Sequence, residues 1–287
     1  MSQQNVHYFP GHMSKAINTI SSFVKSVELI VEIVDARAPL SCRNPILSSL
    51  APQKARLLLL SKEDMADPAV TQKWLSFFSQ TGIPCISGDL KKERLINILT
   101  KSSQQFVSRK REKEKRLGMK KQPIRVMVIG IPNVGKSTLI NNLRGKKVAA
   151  VGNKAGVTRA EQWIKLSDDF VLLDTPGILP MNYPDGQQAI RLALLGSMRE
   201  EVLPTVELSW ALLGYLKQNY PESLQNRFQI PDISNMDSTA VLLEIAKRRL
   251  LLEGPNLSET KAAYLIIKEF KDGLLGPISL ESPDAQS

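Results

Sequence analysis

Gly130-Ile-Pro-Asn-Val-Gly135-Lys136-Ser137 satisfies the pattern G-x-x-x-x-G-K-[ST] at every fixed position. An apolar run, Ile124 to Ile129, leads into it, and a helix-compatible stretch, Lys136 to Leu143, leaves it. That strand–loop–helix setting is what a phosphate-binding loop needs. Glycines at 130 and 135 let the backbone turn so that several N–H groups aim at phosphates. Lys136 supplies a point charge for the β- and γ-phosphates, and the Ser137 hydroxyl can ligate Mg²⁺. Asn133, Val134 and Thr138 complete the phosphate-side contacts expected of the loop, and the helix start adds a favourable dipole. The flanking elements make a chance match in a structural turn the weaker reading. The loop alone does not separate ATP from GTP.

Working outward, Asp174-Thr-Pro-Gly177 closes the apolar strand Phe170 to Leu173, 38 residues after Lys136. It fits D-x-x-G, in which Asp174 holds Mg²⁺ through water and the Gly177 N–H meets the γ-phosphate. Between the two lies Gly156-Val-Thr158, where Thr158 is the candidate second hydroxyl ligand for the metal on a switch loop; otherwise it is an ordinary polar loop residue. Guanine recognition needs an N-K-x-D segment, whose Asp accepts from the base N1–H and exocyclic amine. None follows Gly177, and Asn153-Lys-Ala-Gly156 ends in Gly and lacks the carboxylate. The best match, Ser61-Lys62-Glu63-Asp64, lies upstream of the phosphate loop, at the end of the run Ala55 to Leu60. It keeps Lys62 and Asp64 but replaces Asn with Ser61, a shorter hydrogen-bonding arm. The competing reading is a helix start, with Asp64 or the Asp67-Pro68 pair as its cap. If the segment reads the base, the motifs stand in rotated order.

The apolar content of 43% supports a real core, and the charge level of 23% argues against global disorder. No apolar run is long enough to span a bilayer, and the N-terminus lacks the basic and apolar regions of a secretory signal. Cys42 and Cys85 form neither a metal pattern nor a disulfide framework, so a reducing cytoplasm is the expected setting. The net charge of +10 is uneven: residues 1–180 carry 28 Lys/Arg against 14 Asp/Glu, and residues 181–287 carry 10 against 14. The densest basic run is Arg109 to Arg116, followed by Lys120 and Lys121. It suits either a phosphate backbone or a solvated helix with internal pairing.

Strand signals at Val27–Val34, Ala55–Leu60, Pro84–Ser87, Ile124–Ile129 and Phe170–Leu173 alternate with helical stretches. This pattern predicts an α/β fold with a doubly wound, mostly parallel sheet. Ligands of such sheets bind beyond the C-terminal strand ends, where every motif above lies. After Pro184 the apolar spacing turns helical, in Leu192–Leu203, Leu208–Leu216, Thr239–Leu252 and Lys261–Phe270. The expected organisation is a nucleotide-binding domain over 1–182, with a basic linker at about 109–121, and a small all-helical domain over 183–287. Trp163 and Trp210 are expected to pack, and Asp35 and Arg37 to pair near the site.

The order of parts, together with Tyr8-Phe-Pro-Gly-His12, Asp35-Ala-Arg37-Ala-Pro39, Gly130 to Thr138, Leu173 to Ile178 and Tyr220-Pro-Glu-Ser-Leu, resembles the circularly permuted ribosome-biogenesis GTPases of the YlqF/RbgA type over nearly the whole chain. The resemblance implies a Mg²⁺-dependent GTPase and places Ser87-Gly88-Asp89 at the second base-contacting loop. It further implies a helical C-terminal domain that contacts RNA. As partners it implies the large ribosomal subunit precursor and its rRNA, with no membrane and a monomer off the ribosome. Many GTPases orient the attacking water with a Gln directly after D-x-x-G; here that position is Ile178. The resemblance points to His12 as the catalytic residue alongside Lys136, although His12 could equally pin the N-terminal segment. Two rivals stay open: an ATPase with the same loop, and an RNA-binding module with a vestigial nucleotide site.

Overall fold

A computed structural model describes residues 21–43, 47, 51, 53–90, 100–144, 163–165, 167–173, 186–198 and 204–286. The strands are β1 (Leu29–Asp35), β2 (Ala55–Ser61), β3 (Cys85–Gly88), β4 (Ile124–Ile129), β5 (Trp163–Lys165) and β6 (Phe170–Leu173). They form one sheet in the order β3-β2-β1-β4-β6-β5, parallel throughout except for β5, which runs antiparallel to β6 at the edge. All seven residues of β1 are buried, and Leu57 to Leu60 are fully buried in β2. Near-continuous apolar runs of this kind, broken in β1 by Glu32 and ended by Asp35, are what parallel strands covered on both faces require. Alternate side chains serve the two faces. Ile30, Met127, Ile129 and Leu173 join Val24 and Val27 in a smaller core. Leu29, Val31, Ile33, Val126 and Val128 belong to the main core, which continues without a break into the C-terminal helices through Leu192, Leu212, Leu216, Ile266 and Phe270.

Helices α1 (Pro39–Cys42), α2 (Pro68–Gln80), α3 (Gln104–Arg116) and α4 (Lys136–Arg144) accompany the sheet. The helical region follows, with α5 (Gly186–Leu194), α6 (Thr205–Asn219), α7 (Pro221–Phe228), α8 (Ser238–Arg248) and α9 (Glu259–Lys271), plus a two-stranded hairpin of Leu252–Glu253 and Asn256–Leu257. Among the described residues no helix is long and apolar enough to cross a membrane.

Several expectations shift. The stretch Leu192–Leu203 is not one helix: α5 begins earlier and ends at Leu194, and Gly196 follows with φ of 71°. The stretch Thr239–Leu252 stops being helical at Arg248, with Leu250 at φ 53° and Leu252 in the hairpin. In both, apolar spacing runs on past a left-handed residue that ends the helix. Helix α7 lies between the helical stretches read from apolar spacing, over the Tyr220-Pro-Glu-Ser-Leu motif, and Trp210 does not pack as expected. On α6 the buried face is Leu208, Ser209, Leu212, Leu213 and Leu216, so Trp210 points outward, 41% exposed, donating from Nε1 to Glu259 Oε1 at 3.2 Å. Trp163 is half-buried against the smaller core.

After α9 the chain returns to the sheet. Ile278 N donates to Met65 O at 3.0 Å and Leu280 N to Arg37 O at 2.7 Å. The Glu281 carboxylate accepts from Leu40 N (2.5 Å), Ser41 N (3.1 Å) and Ser41 Oγ (2.6 Å) at the start of α1, and the Glu281 carbonyl accepts from Trp74 Nε1 at 3.2 Å. The last residues of the helical region are thereby laid along the C-terminal strand ends.

Candidate nucleotide site

From β1 the chain proceeds outward to β2 and β3, whereas from β4 it proceeds to β6 on the other side. The boundary between β1 and β4 is therefore the switch point of the sheet, the place where open α/β sheets bind their ligands. The phosphate loop leaves β4 there. A Cβ on Gly130 would lie 2.6 Å from Ile33 O and 2.9 Å from Val134 Cγ2, so only glycine lets the loop turn this close to β1. Gly135 has φ of 96°, and a Cβ there would meet Leu90 Cδ1 at 2.5 Å. Leu90 directly follows Ser87-Gly88-Asp89, so the phosphate loop packs against the residue that ends that segment. Asn133 has φ of 63°, and its Nδ2 donates to Gly196 O at 2.6 Å, tying the loop tip to the helical region. Leu139 N donates to Gly135 O at 2.9 Å, which starts α4. Lys136 and Thr138 are half-buried and Ser137 is exposed in that first turn.

The segment Ser61–Asp64 lies alongside. Parallel pairing sets Asp35 opposite Ser61 and Ser61 opposite Gly88, so three strand ends arrive in line. Ser61 is fully buried. Its Oγ lies 2.6 Å from Val134 O and 2.9 Å from Val34 O; its single proton serves one carbonyl at a time. The shorter arm that replaces Asn thus still reaches the phosphate loop, because β2 ends within 3 Å of it. Asp64 is exposed in the turn Glu63–Met65. The cap of α2 is Asp67, whose Oδ1 accepts from Ala69 N at 2.8 Å and Val70 N at 3.3 Å. The capping alternative for Asp64 is therefore taken by its neighbour. Ser87 and Asp89 are half-buried and Gly88 is buried.

Lys62 adopts φ 56°, ψ 38°, a left-handed conformation that costs a non-glycine residue about 1 kcal/mol or more. Its Nζ lies 2.9 Å from Asp35 Oδ2. Asp35 and Arg37, each 1% exposed, pair at 2.9 Å and also through Arg37 Nε at 3.0 Å. Burial alone would raise the Asp35 carboxyl, but the Arg37 and Lys62 charges outweigh it and hold it at about 2. Arg37 is likewise raised: burial works to lower it and Asp35 overcomes that. Losing one partner of such a pair strands a buried charge, at a cost of about 3–5 kcal/mol. Both cysteines are free; burial pushes the Cys42 thiol well up and Cys85 to about 12, so both stay protonated.

The basic run at 109–121 divides. Lys110 binds Glu28 at 2.9 Å, Arg111 binds Glu114 at 2.6 Å and Asp169 at 2.7 Å, and Lys121 binds Asp169 at 3.0 Å. Arg109, Lys113, Lys115, Arg116 and Lys120 are exposed. Ion pairing therefore takes part of the run, and the exposed charges suit either a solvated helix or a phosphate backbone. His12, Thr158, Asp174 and Gly177 lie outside the described residues, as do Asn153 to Gly156. No group of three or more His, Cys, Asp or Glu able to hold a metal occurs among the described residues. Mg²⁺ at a phosphate loop needs few protein ligands, because nucleotide oxygens and water complete its shell. An exposed Ser137 hydroxyl beside Lys136 fits that demand.

A phosphate loop at the switch point, with Ser61 of an upstream strand end hydrogen-bonded to it, is the arrangement of a circularly permuted P-loop GTPase. Similarity agrees. A family model described as 50S ribosome-binding GTPase matches residues 125–219, beginning at β4, where the unpermuted order would begin. The ribosome biogenesis GTPase A of Bacillus licheniformis is 36% identical over 280 residues, covering 97% of this chain and 99% of that protein. A GDP-bound YlqF structure superposes with a TM-score of 0.69 at 26% identity, over 93% of this chain and 99% of that one. The GNP-bound YlqF of T. maritima gives 0.65 at 27%, over 94% and 99%. This chain belongs to the ribosome biogenesis GTPase A family.

Proposed function

We propose that the chain is a cytoplasmic, Mg²⁺-dependent GTP hydrolase that binds a precursor of the large ribosomal subunit through its rRNA and promotes late assembly. The observation that carries the nucleotide half is the Ser61 Oγ–Val134 O contact of 2.6 Å, which joins the guanine reader to the phosphate loop despite their reversed order. Lys136 and the loop amides hold the phosphates, and Asp64 accepts from the guanine edge with Lys62 beside it. Ser87, Gly88 and Asp89 line the base side. Ser137, Asp174 and Thr158 would hold Mg²⁺, which neutralises developing charge between the β- and γ-phosphates. The Gly177 N–H senses the γ-phosphate. His12 orients or deprotonates the attacking water, since Ile178 has no polar group for the task. The ribosomal half rests on the family and on the exposed charges of Arg109, Lys113, Lys115, Arg116 and Lys120, which suit a phosphate backbone. The domain reading of 1–182 and 183–287 is part of the same proposal.

Two results check it. The GTP-bound protein should bind the subunit precursor at least about tenfold more tightly than the GDP-bound protein, a difference of about 1.4 kcal/mol; equal affinity with GDP and a non-hydrolysable GTP analogue ends the switch reading. Turnover should rise when large subunits are added, and His12→Ala should lower that stimulated rate about 10²-fold or more, the usual share of acid–base catalysis, with GDP affinity unchanged. Stimulated turnover surviving His12→Ala would return His12 to a structural role.

A further inference from the structure

The permutation places Asp174–Gly177 a few residues before the helical region, so one connection from nucleotide to helices is covalent. The structure holds a second, on the base side. Lys62 Nζ meets Asp35 Oδ2 at 2.9 Å. The same carboxylate is bound by Arg37 Nη2 at 2.9 Å, Nε at 3.0 Å and the Arg37 backbone N at 3.1 Å. The remaining Arg37 nitrogen, Nη1, donates to Phe270 O at 3.1 Å in the last turn of α9, where helix carbonyls carry excess negative charge. The guanidinium also sits over the Phe270 ring, 5.1 Å from its centroid. Two backbone bonds run parallel to this chain of charges, Ile278 N to Met65 O and Leu280 N to Arg37 O, and Gly273 closes on Met65, where a Cβ would come within 3.1 Å of Cγ. The loop Lys62–Met65 is thus held at its first residue through Asp35 and at its last by the segment after α9.

We propose that Asp35 and Arg37 are positioning residues that couple the guanine-reading loop to Phe270–Glu281. Guanine nucleotide and the seating of that segment then each favour the other. The inference rests on the reading of Lys62 and Asp64 as base contacts. The left-handed backbone of Lys62 is what the coupling maintains. With the ammonium fixed on a carboxylate that cannot turn without leaving Arg37, the loop presents Asp64 in one arrangement. Because such coupling is reciprocal, a partner that lifts Phe270–Glu281 from the sheet loosens guanine nucleotide, and bound nucleotide tightens the segment.

Hydrogen exchange on the full-length protein tests this. In the wild type, saturating GDP should slow amide exchange in residues 270–281 as well as in 61–66. Arg37→Lys keeps the buried charge but cannot span Asp35 and Phe270 together. It should weaken GDP binding about tenfold, speed exchange in 61–66 and abolish the GDP effect on 270–281, while exchange in β4 stays as in the wild type. The proposal is overturned if GDP leaves 270–281 unchanged in the wild type, or if Arg37→Lys binds GDP as tightly as the wild type. Asp64→Asn separates the two readings. If it fails to alter the choice between GDP and XDP, the base reading falls and takes the coupling with it. If it alters that choice while Arg37→Lys is silent, the coupling alone falls.

Discussion

Lys136→Ala should reduce ribosome-stimulated GTP hydrolysis about 10²- to 10³-fold, the loss typical when one preorganised charge-stabilising donor is removed. Lys136 stands at the first residue of α4, directly after the Gly135 turn, where loop amides and helix dipole already favour an anion. On the proposed reading its ammonium is the one full positive charge that the motif itself brings to the β- and γ-phosphates, and no backbone amide substitutes for it. The binding consequence is separable from folding. At GDP one hundred times its dissociation constant, ligand binding stabilises the wild type by about 2.7 kcal/mol; a hundredfold weaker variant at the same concentration retains about 0.4 kcal/mol. Thermal unfolding with and without GDP reads this directly. The variant should melt close to the wild type without ligand and lose most of the GDP-induced rise. A full rise together with intact turnover would place the phosphates elsewhere.

The same loop explains how far the sequence alone carries. β1, β2 and β4 are legible because parallel strands buried on both faces are rich in apolar residues: Glu32 and Arg125 interrupt β1 and β4 only singly, and Leu57 to Leu60 can hardly be anything else. The phosphate loop is legible because its two glycines answer to backbone facts, the approach of Gly130 to Ile33 O and the φ of 96° at Gly135, that favour glycine over any other residue. β5 is a three-residue antiparallel edge strand with no apolar run to announce it. The ends of α5 and α8 were hidden because apolar residues continue beyond Gly196 and Leu250, and the change of backbone handedness there leaves little trace in composition. Trp210 misleads for another reason: aromatic residues usually pack, but it sits two positions from both Leu208 and Leu212, on the outer face of α6.

Within the site, the Asp35–Arg37 pair is visible as two neighbouring charges after a buried strand. Its partners are not. Phe270 lies 233 residues from Arg37, Glu281 lies 240 residues from Ser41, and Gly196 lies 63 residues from Asn133. Nothing local marks a carbonyl as the receiver of a distant side chain. Ser61 is a different case. As a residue type it is only a shorter arm than Asn. At its place, in register with Asp35 and Gly88, its hydroxyl meets the phosphate loop at Val134 O, 2.6 Å away, a contact that the residue type alone does not announce.

Asp64→Asn should exchange guanine for xanthine selectivity. A carboxylate offers only acceptors, which match the N1–H and exocyclic amine of guanine. An asparagine offers one acceptor and one donor, which match the N1–H and C2 carbonyl of xanthine and leave the guanine amine facing a donor. An unmatched polar group at a recognition contact costs about 1–3 kcal/mol, more where charge is involved. Because guanine loses while xanthine gains, the XTP-to-GTP ratio of kcat/KM should rise about 10²- to 10⁴-fold. The fold should tolerate the change: Asp64 is exposed, and Asp67 rather than Asp64 caps α2. The shift should appear chiefly in KM, with stimulated turnover at saturating XTP near that of the wild type at saturating GTP, since Lys136, Ser137 and the switch residues are untouched. Competition with ATP completes the measurement. A site that prefers ATP, or an Asp64→Asn variant that still prefers GTP over XTP as strongly as the wild type, would remove Ser61–Asp64 from the base site. The order of motifs would then have to be read without it.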